Sequence, residues 1–214
     1  MTWLSNNWAS IFVYGWEHLL IAIPAILLSI LIAVPMGYWA YRMPRFGEVL
    51  VSAMTLTYAI PSLPILIIIP VIFAIPLRSD ANMIIALTVY GVALLVRSAT
   101  DAFGSVDKEP KLAARAMGYS RFRLFTEVEL PLATPIIIEG VRVVTVSTIS
   151  LVTIGALIGV PSLGSLLTDG FQRKITVMIA TGILATMVLA LILDWLVQLA
   201  GRLLAPWHYR EVRA

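Results

Sequence analysis

The sequence contains no cysteine and only two histidines, His18 and His208. Without cysteine the chain can form no disulfide bond and no thiolate metal site. Neither histidine has a second histidine or a cluster of carboxylates near it in sequence, so we expect no metal site and no catalytic residue. A glycine-rich phosphate loop ending in lysine and serine or threonine is also absent. The chain therefore cannot hydrolyse ATP by that route, and we expect no cofactor in it.

Charged residues are scarce: they make up 13% of the 214 residues, whereas 60% are hydrophobic. The mean hydropathy is +0.94. A water-soluble globule needs more charged surface than this, so the composition predicts an integral membrane protein. In such a protein the net charge of +3 bears on which side of the membrane carries the basic residues. We expect no nucleic-acid partner.

Long apolar runs give the predicted membrane spans, since about 20 apolar residues of helix cross a bilayer. Five runs stand out, at residues 19–41, 49–77, 83–96, 132–158 and 175–204. We predict one all-α membrane domain over residues 1–214 with about five transmembrane helices, preceded by an interfacial lead-in at residues 1–16. A six-span alternative divides residues 49–77 in two, but each piece would be short for a crossing.

Three prolines interrupt the second run, at Pro61, Pro64 and Pro70. As one straight helix the run would reach about 43 Å, so it must tilt or break. Carbonyl groups freed by prolines at this depth must face protein or a water-filled path. The candidate path residues are Tyr58, Pro61, Ser62 and, in the third span, Tyr90. The alternative is that these residues serve helix packing only.

Few charged residues fall within the other spans. Glu139 and Arg142 are three residues apart and are predicted to pair at the membrane interface. Asp194 is expected near the inner end of the last span, and Arg97 is expected to form an exposed ion pair with Asp101. We therefore expect no acidic residue at mid-membrane.

Glycines crowd one stretch after the fourth span. Gly155, Gly159, Gly164 and Gly170 accompany Pro161 there. This density is typical of sharp turns or a re-entrant loop rather than of a continuing helix. We predict an outer gate loop that includes Gly159 and Gly164.

The longest polar interruption covers residues 104–131. Asp107 can cap a first helix, and Gly118 can end it in the left-handed conformation. Ser120 can then start a second helix, which Pro131 is predicted to stop. The pattern predicts two short helices separated by a glycine reversal.

The basic residues fix the predicted orientation, because lysine and arginine collect on the cytoplasmic side of membrane proteins. Five spans with the N terminus outside and the C terminus in the cytoplasm place twelve basic residues inside and three outside. The inner group contains Arg42, Arg45, Arg97, Lys108, Lys111, Arg115, Arg121, Arg123, Arg142, Arg202, Arg210 and Arg213, and the outer group contains Arg78, Arg173 and Lys174. The polar loop 104–131 is therefore predicted to be cytoplasmic.

Within this loop a spaced set of residues resembles the signature loop of type I ABC importer permeases. Two alanines are followed by a glycine four residues after the second, and then by a leucine-proline pair. These positions are Ala113, Ala114, Gly118, Leu130 and Pro131. The resemblance implies that the first helix, with small side chains beside charged ones such as Arg115, is a coupling helix that docks into a cleft of a cytoplasmic ATPase. One departure is Leu112, where the family usually has a glutamate.

Further elements resemble the osmoprotectant branch of these permeases, which handles glycine betaine, carnitine and choline. Residues 60–63 read Ile-Pro-Ser-Leu and residues 128–133 read Val-Glu-Leu-Pro-Leu-Ala, as in that branch. The outer loop 159–164 keeps the terminal glycines of the branch pattern and lacks its middle ones. The resemblance implies an osmoprotectant importer, and the alternative is a permease for methionine or another amino acid.

The resemblance also implies partners in a bacterial inner membrane. These are two ATPase subunits that carry ATP and Mg²⁺, a second permease as homodimer or heterodimer, and an extracytoplasmic binding protein. Two other classes fit the sequence less well. A membrane-embedded enzyme would need a nucleophile, dyad or metal set, and a passive channel would have no use for a docking helix.

Overall fold

The computed structural model describes residues 2–207, so that His208, Arg210 and Arg213 lie outside the described residues. Over this range every regular element is a helix and there is no strand, as the sequence predicts. The α-helices are α1 (Thr2–Arg42), α2 (Pro44–Ala59), α3 (Ser62–Phe73), α4 (Asp80–Ser105), α5 (Lys108–Ala116), α6 (Arg121–Leu124), α7 (Leu130–Val152), α8 (Leu163–Gln172) and α9 (Thr176–Leu204). A π-helical turn (Phe125–Glu129) joins α6 to α7, and a 3-10 helix (Thr153–Ile158) follows α7.

Four helical stretches within residues 2–207 are long and apolar enough to cross a membrane: Asn7–Arg42, Asp80–Ser105, Arg121–Ile158 and Thr176–Leu204. The pair α2 and α3 passes the same test together, although the two helices meet at an angle of 107°. Counting that pair as one span gives five, in agreement with the predicted number. The predicted break in the second span is thus present.

The first helix extends further than predicted. No separate lead-in exists in the described residues, because α1 runs without interruption from Thr2 to Arg42, a length of about 60 Å. Its early turns are stabilised by packing, since Trp3, Ile11 and Tyr14 lie against a buried cluster formed by α8 and the start of α9. This tertiary contact is what joins residues 1–16 to the first span.

The polar loop follows the predicted helix, reversal, helix order, with two corrections. Asp107 occupies the position before α5, but its side chain makes no capping hydrogen bond. Pro131 does not stop the second helix. The π-helical turn, in which the Leu130 amide donates to the Phe125 carbonyl, shifts the hydrogen-bonding register just before the proline. Pro131 then falls in the first turn of α7, where a missing amide hydrogen is tolerated.

The bundle is organised around α4. In the most apolar 18-residue stretch of α4, 61% is buried, whereas the corresponding value for α9 is 11%. Helix α1 packs along α4, and α7 packs on both α4 and α9. At one end of the bundle the polar loop contacts the end of α1, where Arg42 meets Glu129. At the opposite end Arg78 lies beside Gly159. Nine of the described basic residues belong to the polar-loop side and three to the other, while Arg142 lies within α7.

Candidate functional site

The first helix of the polar loop, α5, lies against the end of α1, and this contact decides which of its residues are exposed. Ala113, Arg115 and Gly118 are exposed. Ala114 is only 2% exposed, and Lys111 is 8% exposed. The Lys111 ammonium donates a hydrogen bond of 3.1 Å to the Tyr41 hydroxyl. Ala114 and Lys111 are therefore buried against the rest of the protein, and they do not belong to the exposed surface of small and charged side chains.

Three apolar side chains replace them at the loop surface. Leu112 is 61% exposed, Met117 is 68% exposed and Phe122 is 77% exposed. In the sequence, Leu112 stands out only as a departure from the family's glutamate, and no pattern marks Met117 or Phe122 as surface residues. We call Leu112, Ala113, Arg115, Met117 and Phe122 together the exposed loop surface. Its composition is apolar and cationic.

Gly118 forms the reversal between the two loop helices, as predicted. Its φ of +82° lies in the left-handed region, and no atom lies within 4 Å of a methyl group added there. The amides of Gly118 and Tyr119 donate to the Arg115 and Ala114 carbonyls at 3.0 and 3.1 Å, which completes the end of α5. Ser120 then caps α6 by accepting the Arg123 amide at 3.2 Å.

A charged network fixes the second half of the loop to α1. Glu129 is 1% exposed, and its carboxylate accepts hydrogen bonds from Arg42 at 3.0 Å and from the Tyr38 hydroxyl at 2.9 Å. Arg42 also donates to the Tyr38 hydroxyl. Leu130 packs into the adjoining core, and Pro131 is half-buried. Leu130 and Pro131 thus position the loop rather than contribute to its surface.

Local sequence patterns do not predict that Tyr38, Arg42 and Glu129 meet, because Arg42 and Glu129 lie 87 residues apart. The sequence signal at this position is the glutamate of the Val-Glu-Leu-Pro-Leu-Ala run at residues 128–133. Beside the network lies a groove of about 790 Å³, lined by Tyr38, Arg42, Arg115, Tyr119, Arg121, Phe122, Leu124 and Phe125. Arg115 and Arg121 have no acidic partner among residues 2–207. The groove thus continues the cationic and apolar character of the exposed loop surface.

At the break between α2 and α3, Tyr90 has a structural position. It is 4% exposed, and its hydroxyl donates to the Ile60 carbonyl. In a regular helix that carbonyl would accept from the amide of residue 64, but Pro64 has none. The rings of Tyr58 and Tyr90 pack edge to face at 5.8 Å. Of the two predicted path tyrosines, only Tyr58, which is 43% exposed, leaves part of its ring uncovered.

A second buried side chain donates a hydrogen bond to the carbonyl that the next proline leaves without an amide partner. Asn82 is fully buried, and its amide donates to the carbonyls of Leu66 at 3.0 Å and Leu77 at 2.9 Å. In a regular helix the Leu66 carbonyl would accept a hydrogen bond from the amide of residue 70, but Pro70 has no amide hydrogen. The sequence gives no local signal for this contact, because Asn82 and Leu66 lie 16 residues apart.

The other two predicted path residues remain partly open. Pro61 precedes α3 and is exposed, and Ser62 begins the helix and is half-buried. The break therefore presents the ring of Tyr58 together with Pro61 and Ser62 outside the core. Tyr90 packs against the Tyr58 ring from the buried side.

The predicted outer loop contains two glycines with different constraints. Gly159 has φ +85°, and an added methyl group would lie 3.1 Å from the Arg78 side chain. Gly164 lies in the first turn of α8, and a side chain there would collide with the Thr153 carbonyl. Helix α8 has 10 residues, about 15 Å, which is too short to cross a bilayer. The stretch therefore turns back, as its glycine content predicts.

The charged residues of the later spans meet away from the helix ends. Arg142 donates to Asp194 through two nitrogens, at 2.8 and 3.0 Å, and to Glu139 at 2.8 Å. The predicted Glu139–Arg142 pair is confirmed, but Asp194 was not expected to join it. Arg142 is the thirteenth of 23 residues in α7, and Asp194 is the nineteenth of 29 in α9. The expectation that no acidic residue lies at mid-membrane stays a prediction.

Two further expectations concern exposed and metal-binding groups. Arg97 and Asp101 form a pair at 3.8 Å in which both side chains are 68% exposed, as predicted. His18 is fully buried, with its Nε2 atom 3.1 Å from the Ile149 carbonyl. No group of three or more potential metal ligands of the histidine, aspartate or glutamate type occurs within residues 2–207.

The chain matches known sequences over almost its whole length. Carnitine transport permease protein OpuCB of Listeria monocytogenes is 29% identical over 215 residues, which cover 100% of this chain and 96% of the relative. Osmoprotectant import permease protein OsmW of Salmonella typhimurium is 30% identical over 193 residues, which cover 89% of each chain. Glycine betaine/carnitine/choline transport system permease protein OpuCB of Bacillus subtilis is 29% identical over 96% of this chain and 94% of the relative.

Solved structures with the same fold include a chain of the MetNI methionine ABC transporter in an inward-facing conformation. It has a TM-score of 0.74 and 22% identity and covers 91% of this chain and 94% of that chain. At such identity the likeness shows the fold alone. The family model described as binding-protein-dependent transport system inner membrane component matches residues 25–205. With that match over most of its length, the chain belongs to the family of inner membrane components of binding-protein-dependent transport systems.

Proposed function

We propose that this chain is the permease subunit of an ABC importer that takes up osmoprotectants such as glycine betaine, carnitine or choline. The observation that carries the proposal is the similarity over at least 89% of the chain to permeases named for these solutes. The energy comes from ATP and Mg²⁺ on separate ATPase subunits, because this chain contains no phosphate-binding glycine loop.

The exposed loop surface is the part that meets the ATPase. Its apolar side chains, Leu112, Met117 and Phe122, are each more than 60% exposed, and such exposure in a cluster marks a protein interface. Ala113 allows close approach of a partner backbone. The buried Glu129–Arg42 pair joins this surface to α1, so that a movement of the loop moves a membrane helix.

The loop and the C terminus face the cytoplasm, and the N terminus faces outward. The support is the unequal division of basic residues between the two ends of the bundle, nine against three in the described residues. The absence of cysteine makes this easy to test. A cysteine at Ser105 should react in intact cells only with membrane-permeant reagents, whereas one at Phe171, which is 78% exposed, should react with impermeant reagents. The opposite pattern would reverse the orientation.

Partners complete the transporter. A single chain with about five spans supplies half of the pathway, so a second permease, either a copy or a paralogue, forms the other half. Two ATPase subunits and an extracytoplasmic binding protein complete the assembly. The family description names a binding-protein-dependent system, which supports the last of these.

The transported solutes have a chemistry that this chain can accommodate. A quaternary ammonium has no hydrogen to donate, and it is held by aromatic faces at about 0.5–2 kcal/mol each. Tyr58 presents a partly uncovered ring at the break, beside Pro61 and Ser62. Affinity itself resides in the binding protein, so the path needs only weak contacts.

Solute uptake tests the proposal. A bacterial strain that lacks other osmoprotectant importers is grown in high salt with glycine betaine, carnitine or choline, with and without this chain and its partners. We expect growth and uptake of the labelled solutes only when the chain is present. Equal growth in both strains, together with methionine uptake that depends on the chain, would replace the osmoprotectant with an amino acid.

A further inference from the structure

A cleft runs along the outside of α7 and α9. Its first part, about 450 Å³, is lined by Glu139, Arg142, Val143, Val146, Ser147 and Asp194. A second part of about 360 Å³ lies against Val146 as well and continues past Ser150, Thr153 and Thr186. Because the two parts share Val146, they form one depression, which we call the α7–α9 cleft. Along α7 it extends from residue 139 to residue 153, or about 21 Å.

Polar groups occur in both parts of this cleft, and in the second part they stand among the apolar side chains of Leu167, Ile183, Met187 and Ala190. The ion-paired Glu139, Arg142 and Asp194 stand at one end. Ser147 and Ser150 follow, and neither hydroxyl has a hydrogen-bond partner among residues 2–207. The Thr153 hydroxyl donates to a carbonyl of its own helix. Two unpartnered hydroxyls and a charged trio on one face of a membrane helix require water or another polar partner.

The charged trio makes contact of this face with lipid unfavourable. Glu139 has a side chain that is 60% exposed, and its two partners are 27% and 23% exposed. Placing such groups in hydrocarbon costs several kcal/mol, so ionisable residues within spans face the protein interior or a water-filled cavity. The three charges sum to −1, because a single arginine meets two carboxylates.

The exposed face of α1, unlike the α7–α9 cleft, is formed by apolar side chains. Ile23, Leu27 and Leu31 lie on it at helical spacing and are 43%, 59% and 70% exposed. They carry no polar group, and this face is suited to lipid. Within residues 2–207, this exposed face of α1 is compatible with lipid, whereas the α7–α9 cleft carries groups that lipid would penalise.

We propose that the α7–α9 cleft lines the water-filled transport path and that Glu139 gives this part of the path a net negative charge. The proposal rests on the function proposed above, since it concerns the path of a permease. A negative wall favours cationic or zwitterionic solutes over anions of the same size. The cleft would thus act as a charge filter at the middle of the pathway, in addition to the wall formed by Tyr58, Pro61 and Ser62.

Thiol accessibility tests the first part of the proposal. In the assembled transporter, reconstituted in vesicles, Ser147→Cys is treated with a small, water-soluble, positively charged thiosulfonate. Leu31→Cys on the apolar face of α1 is the control. We expect Ser147→Cys to react at least tenfold faster than Leu31→Cys. Ser150→Cys is a second probe in the same cleft if the first variant assembles poorly.

Equal rates for the cleft and the control positions would overturn the proposal. This readout does not depend on which solute is carried. A failure here is therefore distinguishable from a failure of the osmoprotectant assignment, which is measured by uptake.

The charge of the cleft is tested with paired reagents. The rates of Ser147→Cys with a cationic and an anionic thiosulfonate of similar size are compared with and without Glu139→Gln. We expect the cation-to-anion rate ratio to fall several-fold when Glu139 is neutralised. An unchanged ratio would show that Glu139 does not set the potential of the cleft.

Discussion

Two regions of this molecule, the polar loop between α4 and α7 and the proline break between α2 and α3, are stabilised by different means. The polar loop is attached to α1 by charge, through the buried Glu129 carboxylate and the Arg42 guanidinium at 3.0 Å. The proline break between α2 and α3 is held by neutral donors, the Tyr90 hydroxyl on the Ile60 carbonyl and the Asn82 amide on the Leu66 carbonyl. Each neutral donor replaces an amide hydrogen that a proline lacks.

The difference follows from access to water. The Arg42 side chain is 33% exposed, so the guanidinium keeps part of its hydration while it neutralises Glu129, and the desolvation cost of the pair is reduced. Tyr90 and Asn82 are almost fully buried, where an ion would be costly and a neutral hydrogen bond is sufficient. A charged anchor therefore suits the end of the bundle, and neutral anchors suit its interior.

The largest effect should come from removing the charged anchor. Arg42→Met leaves the Glu129 carboxylate buried with only the Tyr38 hydroxyl, and we expect the free energy of unfolding to fall by about 3 kcal/mol. The measurement is helix content during unfolding by dodecyl sulfate in mixed micelles. Arg97→Met is the control, because its pair with Asp101 is exposed on both sides and should contribute less than about 0.5 kcal/mol. A similar loss of unfolding free energy in the two variants would contradict the role of the buried Arg42–Glu129 pair as an anchor.

The double variant Arg42→Met with Glu129→Met sharpens this result. Both charges are then absent, and the buried carboxylate no longer lacks a partner. We expect part of the stability lost in Arg42→Met to return. If the double variant is less stable than Arg42→Met, the cost lies in lost packing and not in an unpaired charge.

The next largest effect concerns Asn82. Asn82→Leu keeps the size of the side chain but leaves the Leu66 and Leu77 carbonyls without a donor, and we expect a loss of about 2 kcal/mol in the same assay. Asn7→Leu is the matched control, because Asn7 donates a single bond to the Trp3 carbonyl near the end of α1. A loss at Asn7 as large as that at Asn82 would contradict the role assigned to the neutral donors.

Tyr90→Phe removes one hydroxyl from the same region. The Ile60 carbonyl loses its donor while the ring packing stays, and a loss of about 1.5 kcal/mol is expected. Tyr58→Phe changes the other ring of the pair, whose hydroxyl has no partner among the described residues, and should be nearly neutral. The comparison of the two midpoints of unfolding isolates the hydrogen bond, and equal midpoints would argue against it.

The smallest effect concerns the reversal in the polar loop. In Gly118→Ala the added methyl group contacts no neighbour, but the alanine must adopt a φ of +82°. We therefore expect the free energy of unfolding to fall by about 1 kcal/mol. Gly104→Ala is the counterpart, since Gly104 lies within α4 with its nearest neighbour at 4.0 Å. There an alanine should raise stability by a few tenths of a kcal/mol. Shifts of the same sign in both variants would show that backbone conformation does not decide the outcome.

Features that depend on residues close together in sequence were predictable from the sequence. Bilayer thickness fixes the length of an apolar run, so the number of spans and the break at Pro61 were predicted. Gly118 was predicted because few other residues tolerate a left-handed helix end. In the same loop, the burial of Ala114 depends on the contact with α1, which no local pattern contains.

The remaining features required tertiary contacts. Pro131 was expected to stop a helix, but the π-helical turn before it admits the ring. Arg142 was paired correctly with Glu139 because the two are three residues apart. Asp194 lies 52 residues further along the chain, and its approach follows only from the packing of α9 on α7.

The central claim is that the exposed loop surface transmits ATP hydrolysis by a separate subunit to solute movement through this chain. The most direct test measures ATP-driven uptake of labelled glycine betaine by proteoliposomes that contain the permease, its ATPase and its binding protein. We predict that Ala113→Trp abolishes uptake and binding of the ATPase, whereas Ala113→Ser, which keeps a small side chain at this exposed position, retains both. Full uptake by Ala113→Trp, or uptake without the ATPase, would contradict the claim.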